Sequence, residues 1–266
     1  MSYRLVAMDL DETLLNEDLQ ISERNYRAIQ AARDHGIIVT IATGRMYRSC
    51  LPYARQLKLD VPFITYHGAL VRSVEGAEPL FYYPLDYVMA RDIVATAEKL
   101  NYHVNLYLDE QVYVREENQF SRLYQSITAV DVHPVGNLSS YLEKACKNPA
   151  KLTMINYEDQ QEEMDKYLQE NYHGKINITK SHSYFMELTH LRATKGQALK
   201  TLADCWEIEP SEVVAIGDSY NDLDMIQYAG LGVAMSNARQ ELRENADMIT
   251  ASYNEDGVAE VLENLI

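Results

Sequence analysis

The sequence is poor in cysteine and in positive charge. Its three cysteines, Cys50, Cys146 and Cys205, are odd in number and widely spaced, which indicates neither a disulfide framework nor a zinc cage, so we expect buried free thiols. With 24 Lys plus Arg against 40 Asp plus Glu, the formal net charge is −16. Such a field repels nucleic acid and anionic membranes, so neither is an expected partner, and any anionic ligand needs a local cation.

Long apolar runs and a secretory leader are also missing. The longest apolar stretches, such as 37–42 and 213–216, are far shorter than the roughly 20 residues that span a bilayer. Residues 1–10 lack the apolar region and the small-residue cleavage site of a signal sequence. We therefore expect a cytoplasmic protein with no membrane partner.

What the sequence does have is an ordinary globular composition and a repeated alternation of strand and helix patterns. A hydrophobic share of 47% over 266 residues excludes disordered and collagen-like classes and allows one large or two modest domains. A βαβαβ order over 3–66 returns over 196–265. Because the runs over 6–8 and 37–41 are continuously apolar, we expect parallel strands buried on both faces, as in a doubly wound α/β sheet.

The middle of the chain has a different pattern. Between 84 and 187, short alternating strands are separated by helices, and Asp109-Glu110-Gln111 reads as a hairpin connection. Antiparallel strands with one solvated face are typical of an inserted α+β domain rather than of a buried core. We therefore predict a core of residues 1–83 and 188–266, interrupted by a cap over 84–187.

Four polar motifs follow predicted strands or begin predicted helices of the core. Singly, three of them also fit a turn or a helix cap, and the one with Lys195 also fits a solvated surface lysine. Because ligands of open α/β sheets bind beyond the carboxyl ends of the strands, together they are expected to converge on one site. The motifs are Asp9-x-Asp11-x-Thr13, Thr43-Gly44-Arg45, Thr194-Lys195-Gly196 and Gly217-Asp218-x-x-Asn221-Asp222.

The residue types in these motifs indicate chemistry on an anion beside a divalent cation. Asp9 and Asp11 are hard oxygen ligands. One of them can serve as metal ligand or nucleophile, and the other as acid or base. Thr43 and Gly44 at a helix start make an anion site with free N–H groups. Lys195 opposes the positive end of its helix, a cost that a substrate anion would offset. The acid-rich segment 217–222 is a candidate cation site.

In this order, the four motifs resemble the haloacid dehalogenase superfamily, and within it the Cof-like, class IIB phosphatases. The stretches 235–238, 246–247 and 254–259 are also similar to that family. The resemblance implies a Rossmann-like core with an inserted C2B-type cap. It also implies Mg²⁺-dependent hydrolysis of a small phosphomonoester, such as a sugar phosphate, a nucleotide or pyridoxal phosphate, through an aspartyl-phosphate.

The resemblance further implies a role for each motif residue. Asp9 would attack phosphorus, and Asp11 would protonate the leaving oxygen and then deprotonate water. The phosphate would be bound by Thr43, Gly44, Lys195 and Asn221. The Mg²⁺ would be held by the Asp9 side chain, the Asp11 backbone carbonyl, Asp218 and, through water, Asp222. Since carboxylates repel a phosphate by roughly 4 kcal/mol per charge pair at 4 Å and an effective dielectric of 20, we expect failure without Mg²⁺.

The chain departs from the family pattern at a few positions. His67 stands where the family usually has Asn in Asn-Gly-Ala, Arg192 stands where Gly often precedes the motif lysine, and Ser236 replaces another glycine. His67 is therefore either a candidate substrate contact or a structural histidine near the site, and Arg192 either a candidate substrate contact or a change in the hinge. The candidates on the cap are Tyr184 and Glu187, with Tyr107 and Tyr113.

Two other functions remain open from the sequence. A phosphomutase would use the same aspartyl-phosphate but return the group to a second hydroxyl. A non-catalytic regulator that binds a phosphorylated metabolite would share an acidic pocket and a lysine with receiver domains, which are about half this length and lack a cap. The sequence leaves the physiological substrate and the oligomeric state open, and the expected partner is a small phosphorylated metabolite.

Overall fold

Alternating strands and helices begin the chain and return at its end. The structure, a computed structural model, describes residues 3–76, 78–157, 162–182 and 185–266. The first segment holds β1 (Leu5–Met8), α1 (Glu23–Asp34), β2 (Ile38–Ile41), α2 (Tyr47–Gln56), β3 (Phe63–Thr65), β4 (Leu70–Arg72) and β5 (Phe81–Tyr82). The middle segment holds α3 (Tyr87–Lys99), β6 (His103–Leu108), β7 (Gln111–Val114), α4 (Gln119–Thr128), β8 (Val132–Pro134), α5 (Leu138–Ala145), β9 (Lys151–Ile155), α6 (Glu162–Tyr172), β10 (Ile176–His182) and β11 (Phe185–His190). The last segment holds α7 (Lys195–Cys205), β12 (Val213–Gly217), α8 (Leu223–Tyr228), β13 (Leu231–Met235), α9 (Gln240–Asn245), β14 (Met248–Thr250) and α10 (Gly257–Leu265).

These elements form two compact units. The first unit comprises Met1–Arg45, Cys50–Tyr82 and Thr194–Ile266, and the second comprises Met46–Ser49 and Tyr83–Ala193. The second unit is therefore a long insertion between two segments of the first. None of the helices in the described part of the chain combines the length and the apolar character that a bilayer crossing requires.

The first unit is built on a parallel five-stranded sheet in the order β14-β13-β12-β1-β2. The side chains of β1 are completely buried, as continuous apolar strands in a doubly wound sheet should be. Each fully buried Leu, Ile or Val contributes roughly 1.5–3 kcal/mol. The predicted α/β class with a parallel sheet is confirmed.

The two ends of α1 show how particular residues determine where a helix begins and ends. The Ser22 side chain accepts a hydrogen bond from Asn25 N at the start of the helix, and Gly36 follows its end at φ +84°. Both features satisfy backbone groups that a helix end leaves free. They place the chain to enter β2 directly.

The strand β3 differs from the prediction of one more parallel strand. It continues the main sheet through a single parallel bridge between Ala42 and Ile64, and it pairs antiparallel with β4, which pairs with β5. The polar turn at 66–68 reverses the chain immediately after β3, so its other edge is used by the returning strand.

The second unit contains a six-stranded sheet in the order β10-β11-β9-β6-β7-β8. Its pairs are antiparallel except β7 with β8. The hairpin predicted at Asp109-Glu110-Gln111 is present: Asp109 and Glu110, both at positive φ, form its turn, and Gln111 already begins β7. One face packs against α3, α5 and α6 in a core that includes Ile93, Leu106, Leu142, Leu152, Leu168 and Leu188.

The expectation of a solvated second face is wrong. Polar residues on that face are buried because they satisfy one another: Lys151 is paired with Glu187 and lies 4.8 Å from the centre of the Tyr107 ring. Tyr124 of α4 packs edge-on against Tyr107. The alternating pattern correctly predicted that this face of the sheet is polar, but it did not predict that the face is buried.

The cysteines also depart from expectation. Cys50 is buried, whereas Cys146 and Cys205 are exposed, and all three are free thiols. The two exposed cysteines lie at or next to helix ends, at the C-cap of α5 and the last residue of α7. The prediction of buried free thiols is therefore right for Cys50 alone.

Candidate active site

Three motif residues lie at one edge of the parallel sheet. Asp9 follows β1, Asp218 follows β12, and Thr43 follows β2 after one residue. Because β1 pairs in parallel with both neighbours, with Met8 opposite Ile216 and Ile41, the three strands end together. The structure thus places these polar residues where ligands of such sheets bind.

Three carboxylates and one ammonium form the centre of the site. One oxygen from each of Asp9, Asp218 and Asp222 lies within 4.8 Å of the others, and all three residues are buried. Lys195 is fully buried and donates to Asp9 Oδ1 at 2.7 Å and to Asp222 Oδ1 at 2.5 Å. We call these four residues the acidic centre.

Burial and mutual repulsion shift the pKa values of the acidic centre. Burial raises the pKa of Asp9 from 3.8 to about 7; the negative charges of Asp222 and Asp11 add to the rise and Lys195 opposes it. Burial, followed by Asp222 and Asp9, raises the pKa of Asp218 well above its ordinary value. Burial alone lowers the pKa of Lys195, but Asp222 and Asp9 outweigh it, so the net pKa is raised. One charged lysine therefore faces three carboxylates.

Asp222 is held by donors on both of its oxygens. Oδ1 accepts from Lys195, while Oδ2 accepts from the backbone N–H groups of Asp218 and Ser219, each at 3.0 Å. Gly217 is needed beside it, since a Cβ there would lie 2.6 Å from the Asp222 side chain. Asp222 thus orients the ammonium and the loop after β12.

Asp218 is oriented by a residue that the site prediction omitted. The buried Thr13 hydroxyl donates to Asp218 Oδ1 at 3.0 Å, across 205 residues of sequence. Thr13 belongs to the first motif, so its spacing from Asp9 was a usable signal. Its hydrogen-bond partner could not be predicted from the sequence, because the tertiary fold determines which side chains at the sheet edge meet.

The Asp11 side chain lies outside the acidic centre. It accepts from Arg45 Nε at 2.8 Å and from Arg45 Nη2 at 2.6 Å, a bidentate contact. The Asp11 side chain is 43% exposed while that of Arg45 is 7% exposed. Burial lowers the pKa of Arg45, but the hydrogen bond and charge of Asp11 outweigh it and raise the pKa overall. Arg45 was part of the second motif, but its role as the partner of Asp11 was not predicted.

The segment after β2 forms a tight turn against His67. The Thr43 hydroxyl accepts from Arg45 N at 3.1 Å, and the Thr43 carbonyl accepts from His67 N at 3.0 Å. A Cβ on Gly44 would lie only 2.3 Å from His67 Cε1, so only glycine allows this approach. On its other side, His67 Nδ1 lies 3.3 Å from Asn221 Nδ2. His67 therefore links the second and fourth motifs.

The start of α7 shows a different electrostatic balance from the predicted one. The Thr194 side chain caps the helix by accepting from Gln197 N, and the Asp224 carboxylate accepts from Gly196 N at 2.9 Å. The cation at Lys195 is offset within the protein by Asp9 and Asp222, so its cost at the helix start is met without a substrate anion. Asp224 was missed because its partner lies on another element.

The remaining predicted contacts do not belong to the acidic centre. Glu187 and Arg192 lie in the second unit, where Glu187 pairs with Lys151 and the exposed Arg192 donates its backbone N–H to His190. Tyr184 lies outside the described residues. Tyr107 and Tyr113 are also in the second unit, Tyr107 buried and Tyr113 packed on Tyr141.

Comparison with known proteins shows the family. The model of the haloacid dehalogenase-like hydrolases matches residues 6–262. The chain is 33% identical to a Haemophilus influenzae protein with a provisional phosphatase name, over 99% of this chain and 98% of that one. It is 30% identical to the Bacillus subtilis 5-amino-6-(5-phospho-D-ribitylamino)uracil phosphatase YitU, over 97% and 96%. A crystal structure of a haloacid dehalogenase-like hydrolase from Bacteroides thetaiotaomicron matches with a TM-score of 0.90 and 28% identity, over 100% of both chains.

The chain belongs to the haloacid dehalogenase-like hydrolases, with the Rossmann-like core and cap of that family. Within it, the chain is a phosphatase, a hydrolase of phosphomonoesters. The resemblance stated from the motifs is confirmed.

Proposed function

We propose that this phosphatase hydrolyses small phosphomonoesters with the help of Mg²⁺, through an aspartyl-phosphate on Asp9. The observation that carries the proposal is the acidic centre, in which a buried lysine holds Asp9 at the end of β1. A buried carboxylate fixed by an ammonium at a sheet edge is arranged as a nucleophile for an anionic substrate.

The donor set of the acidic centre fits Mg²⁺. Its carboxylate oxygens are hard ligands, three of them lie within 4.8 Å, and the single charge of Lys195 leaves negative charge in excess. We assign the ion to the side chains of Asp9 and Asp218 and the backbone carbonyl of Asp11, with Asp222 acting through water. When bound, Mg²⁺ neutralises charge on the phosphoryl oxygens.

The residues then divide the two half-reactions. Lys195 contacts Asp9 through Oδ1, so we assign Oδ2 to the attack on phosphorus. Asp11 gives its proton to the leaving oxygen, and it later takes a proton from the water that hydrolyses the aspartyl-phosphate. Both steps require Asp11 to leave its bidentate contact with Arg45.

Binding of the phosphoryl group is assigned to the residues around this centre. Thr43 and Gly44 offer the hydroxyl and amide of the turn after β2, Lys195 offers positive charge, and Asn221 offers its side-chain amide. Substrate choice is assigned to the second unit, with Glu187, Arg192 and Tyr184 as the candidate contacts. These assignments are supported by the family and by the position of the motifs at the sheet edge.

The test is release of inorganic phosphate from a panel of small phosphomonoesters. The panel holds sugar phosphates, nucleotides, pyridoxal phosphate and, because a relative is named for it, 5-amino-6-(5-phospho-D-ribitylamino)uracil. We expect release that needs Mg²⁺, stops with EDTA and falls about 1000-fold or more in Asp9→Asn. Asp34→Asn, an exposed aspartate at the end of α1, is the matched control and keeps full activity.

Two results would contradict this proposal. Undiminished phosphate release by Asp9→Asn would show that Asp9 is not the nucleophile. An isomerised phosphosugar formed without free phosphate would identify a phosphomutase instead.

A further inference from the structure

The most informative contact outside the acidic centre is the one between His67 and Asn221. His67 is 1% exposed and holds a left-handed backbone conformation at φ +58°, which is costly for a residue with a Cβ. Its ring lies against the α-carbon of Gly44 and reaches the side chain of Asn221. A strained, buried imidazole between two phosphate-binding motifs calls for a physical reason.

As they stand, the polar atoms of this contact leave one group of Asn221 unpaired. Asn221 Nδ2 lies 3.3 Å from His67 Nδ1, to which it can donate only if that nitrogen carries no proton. Asn221 Oδ1 is buried and has no hydrogen-bond partner among the described residues. A buried acceptor without a donor costs about 1–3 kcal/mol, which a native site avoids where a better arrangement exists.

A half-turn of the Asn221 amide pairs Oδ1 with the imidazole without moving another atom, and it leaves Nδ2 as the group that needs a partner. The oxygen and nitrogen of a side-chain amide have nearly the same size, so the rotation keeps the packing. Oδ1 then faces His67 Nδ1, and Nδ2 takes the place of the unpaired oxygen. This arrangement requires that the imidazole carry a proton on Nδ1, because only an N–H can donate to the amide oxygen.

We propose that His67 is a positioning residue that donates from Nδ1–H to Asn221 Oδ1 and so turns the Asn221 NH₂ group toward the substrate. Under the proposed function, on which this last step rests, the acceptor is an oxygen of the phosphoryl group. The imidazole acts through Asn221 rather than by touching the reacting atoms. Its strained backbone is then the cost of bringing Nδ1 to the amide.

The first test is the protonation state of the His67 ring, measured on the full-length enzyme. Long-range ¹H–¹⁵N correlation spectra of protein labelled in histidine distinguish a nitrogen that carries a proton from one that does not. The signals of His67 are identified as those missing from His67→Asn. We expect a proton on Nδ1, with or without one on Nε2. A bare Nδ1, or a proton averaged between the two nitrogens, would overturn the proposal.

The second test separates positioning from packing by kinetics. Asn at position 67 can place an amide N–H where the ring has Nδ1, since both atoms are bonded to Cγ, whereas Gln cannot. We expect kcat/KM to fall about tenfold or more in His67→Ala and His67→Gln and to recover most of that loss in His67→Asn. Recovery in Gln rather than in Asn would assign the role to Nε2 and overturn the proposal.

A double-mutant cycle identifies Asn221 as the residue through which His67 acts. In an Asn221→Ala background, His67→Ala should change kcat/KM by less than about twofold, because the amide that it orients is gone. Effects that multiply independently would overturn the proposal. His35→Asn, an exposed histidine at the end of α1, is the control for the substitution itself, and thermal unfolding confirms that each variant folds.

The two proposals fail in different ways. The ring protonation is read without substrate, so it stands or falls whatever the enzyme hydrolyses. If the wild-type enzyme released no phosphate but Nδ1 carried the proton, the proposed function would fail while the hydrogen bond to Asn221 survived.

Discussion

At the scale of single residues, Lys195 holds the site together electrostatically. It is fully buried and shared by Asp9 and Asp222. Breaking a buried ion pair by removing one partner costs far more than an exposed pair contributes, because the remaining charge is left without a partner. We therefore expect Lys195 to contribute to the free energy of unfolding of the first unit as well as to the reaction.

Replacement of this lysine is the first prediction. We expect Lys195→Met to lower the free energy of unfolding by about 3–5 kcal/mol at neutral pH, since it leaves buried carboxylates unpaired. Urea denaturation measures the change. The matched control is Lys200→Met in the same helix, where the exposed lysine pairs with Asp204 and should cost little. Equal effects in the two variants would contradict the electrostatic role of Lys195.

The second prediction concerns the turn after β2. In Gly44→Ala the new methyl group would meet the His67 ring at 2.3 Å, so the ring has to move away from Asn221. We expect kcat/KM to fall about tenfold or more, and the loss in Gly44→Ala with His67→Ala to be no larger than in His67→Ala alone, because both changes remove the same contact with Asn221. Steady-state kinetics of the three variants measures this. A further large loss in the double variant would place the defect in the Gly44 backbone and not in His67.

The sequence identified residues better than it identified their partners. Asp9, Asp218, Asp222 and Lys195 could be placed together because strand ends of one sheet meet at one edge. The contact of Arg45 with Asp11 could not, because it joins side chains of different elements and depends on rotamers. For the same reason, the pairing of Thr13 with Asp218 could not be predicted.

At the scale of elements, the loops after β1 and β12 concentrate carboxylates that resist ionisation. Burial raises the pKa of Asp9 from 3.8 to about 7. The folded protein without metal therefore binds this proton more tightly than the unfolded chain does. The stability contributed in this way is present below about pH 4 and is lost as the pH rises through 7.

Stability against pH is the third prediction. Without metal, the free energy of unfolding should fall between pH 4 and pH 7 more steeply in the wild type than in Asp9→Asn. Added Mg²⁺ should stabilise the wild type more at pH 8 than at pH 5, because the ion and the protons compete for the same carboxylates. Thermal unfolding with EDTA or Mg²⁺ across this range tests both statements. A Mg²⁺ effect that is equal at the two pH values would contradict the assignment of the ion to this centre.

Strands were predicted well where the apolar pattern was continuous and less well elsewhere. The runs that became β1 and β2 have one physical solution, a parallel strand buried on both faces. The pattern at β3 did not distinguish a parallel partner from the antiparallel β4 that follows it. In the second unit, polar residues marked one face of the sheet correctly, but internal pairing of Lys151 with Glu187 buried it.

This buried pair supports the fourth prediction. Glu187→Gln should lower the free energy of unfolding by about 3–5 kcal/mol, whereas Lys151→Met combined with Glu187→Met should recover most of the loss. Urea denaturation measures both, with the exposed Lys147→Met as the control. Activity of the double variant then separates two roles. Recovery of stability alone supports Glu187 as a substrate contact, and recovery of both stability and activity shows that its role is structural.

At the scale of the whole molecule, the net charge repels an anionic substrate, whereas a local positive charge at the site can attract it. A formal charge of −16 repels a phosphomonoester at long range, yet the chain is a phosphatase of the haloacid dehalogenase-like hydrolase family. The proposal resolves this through Lys195 and a bound Mg²⁺ at the sheet edge. The absence of nucleic-acid and membrane partners stays a prediction from composition, while the motifs alone predicted a small phosphorylated substrate.

The measurement that tests the central claim most directly is the trapping of a covalent intermediate. An aryl phosphate labelled with ³²P has a leaving group that needs no proton, so Asp11→Asn should form the aspartyl-phosphate but hydrolyse it slowly for want of a base. Acid quench with Mg²⁺ present, followed by peptide mapping, should find about one label per chain on Asp9 and none in Asp9→Asn. Label on another residue, or release of product by Asp11→Asn with no trapped label while the wild type turns over, would contradict the account.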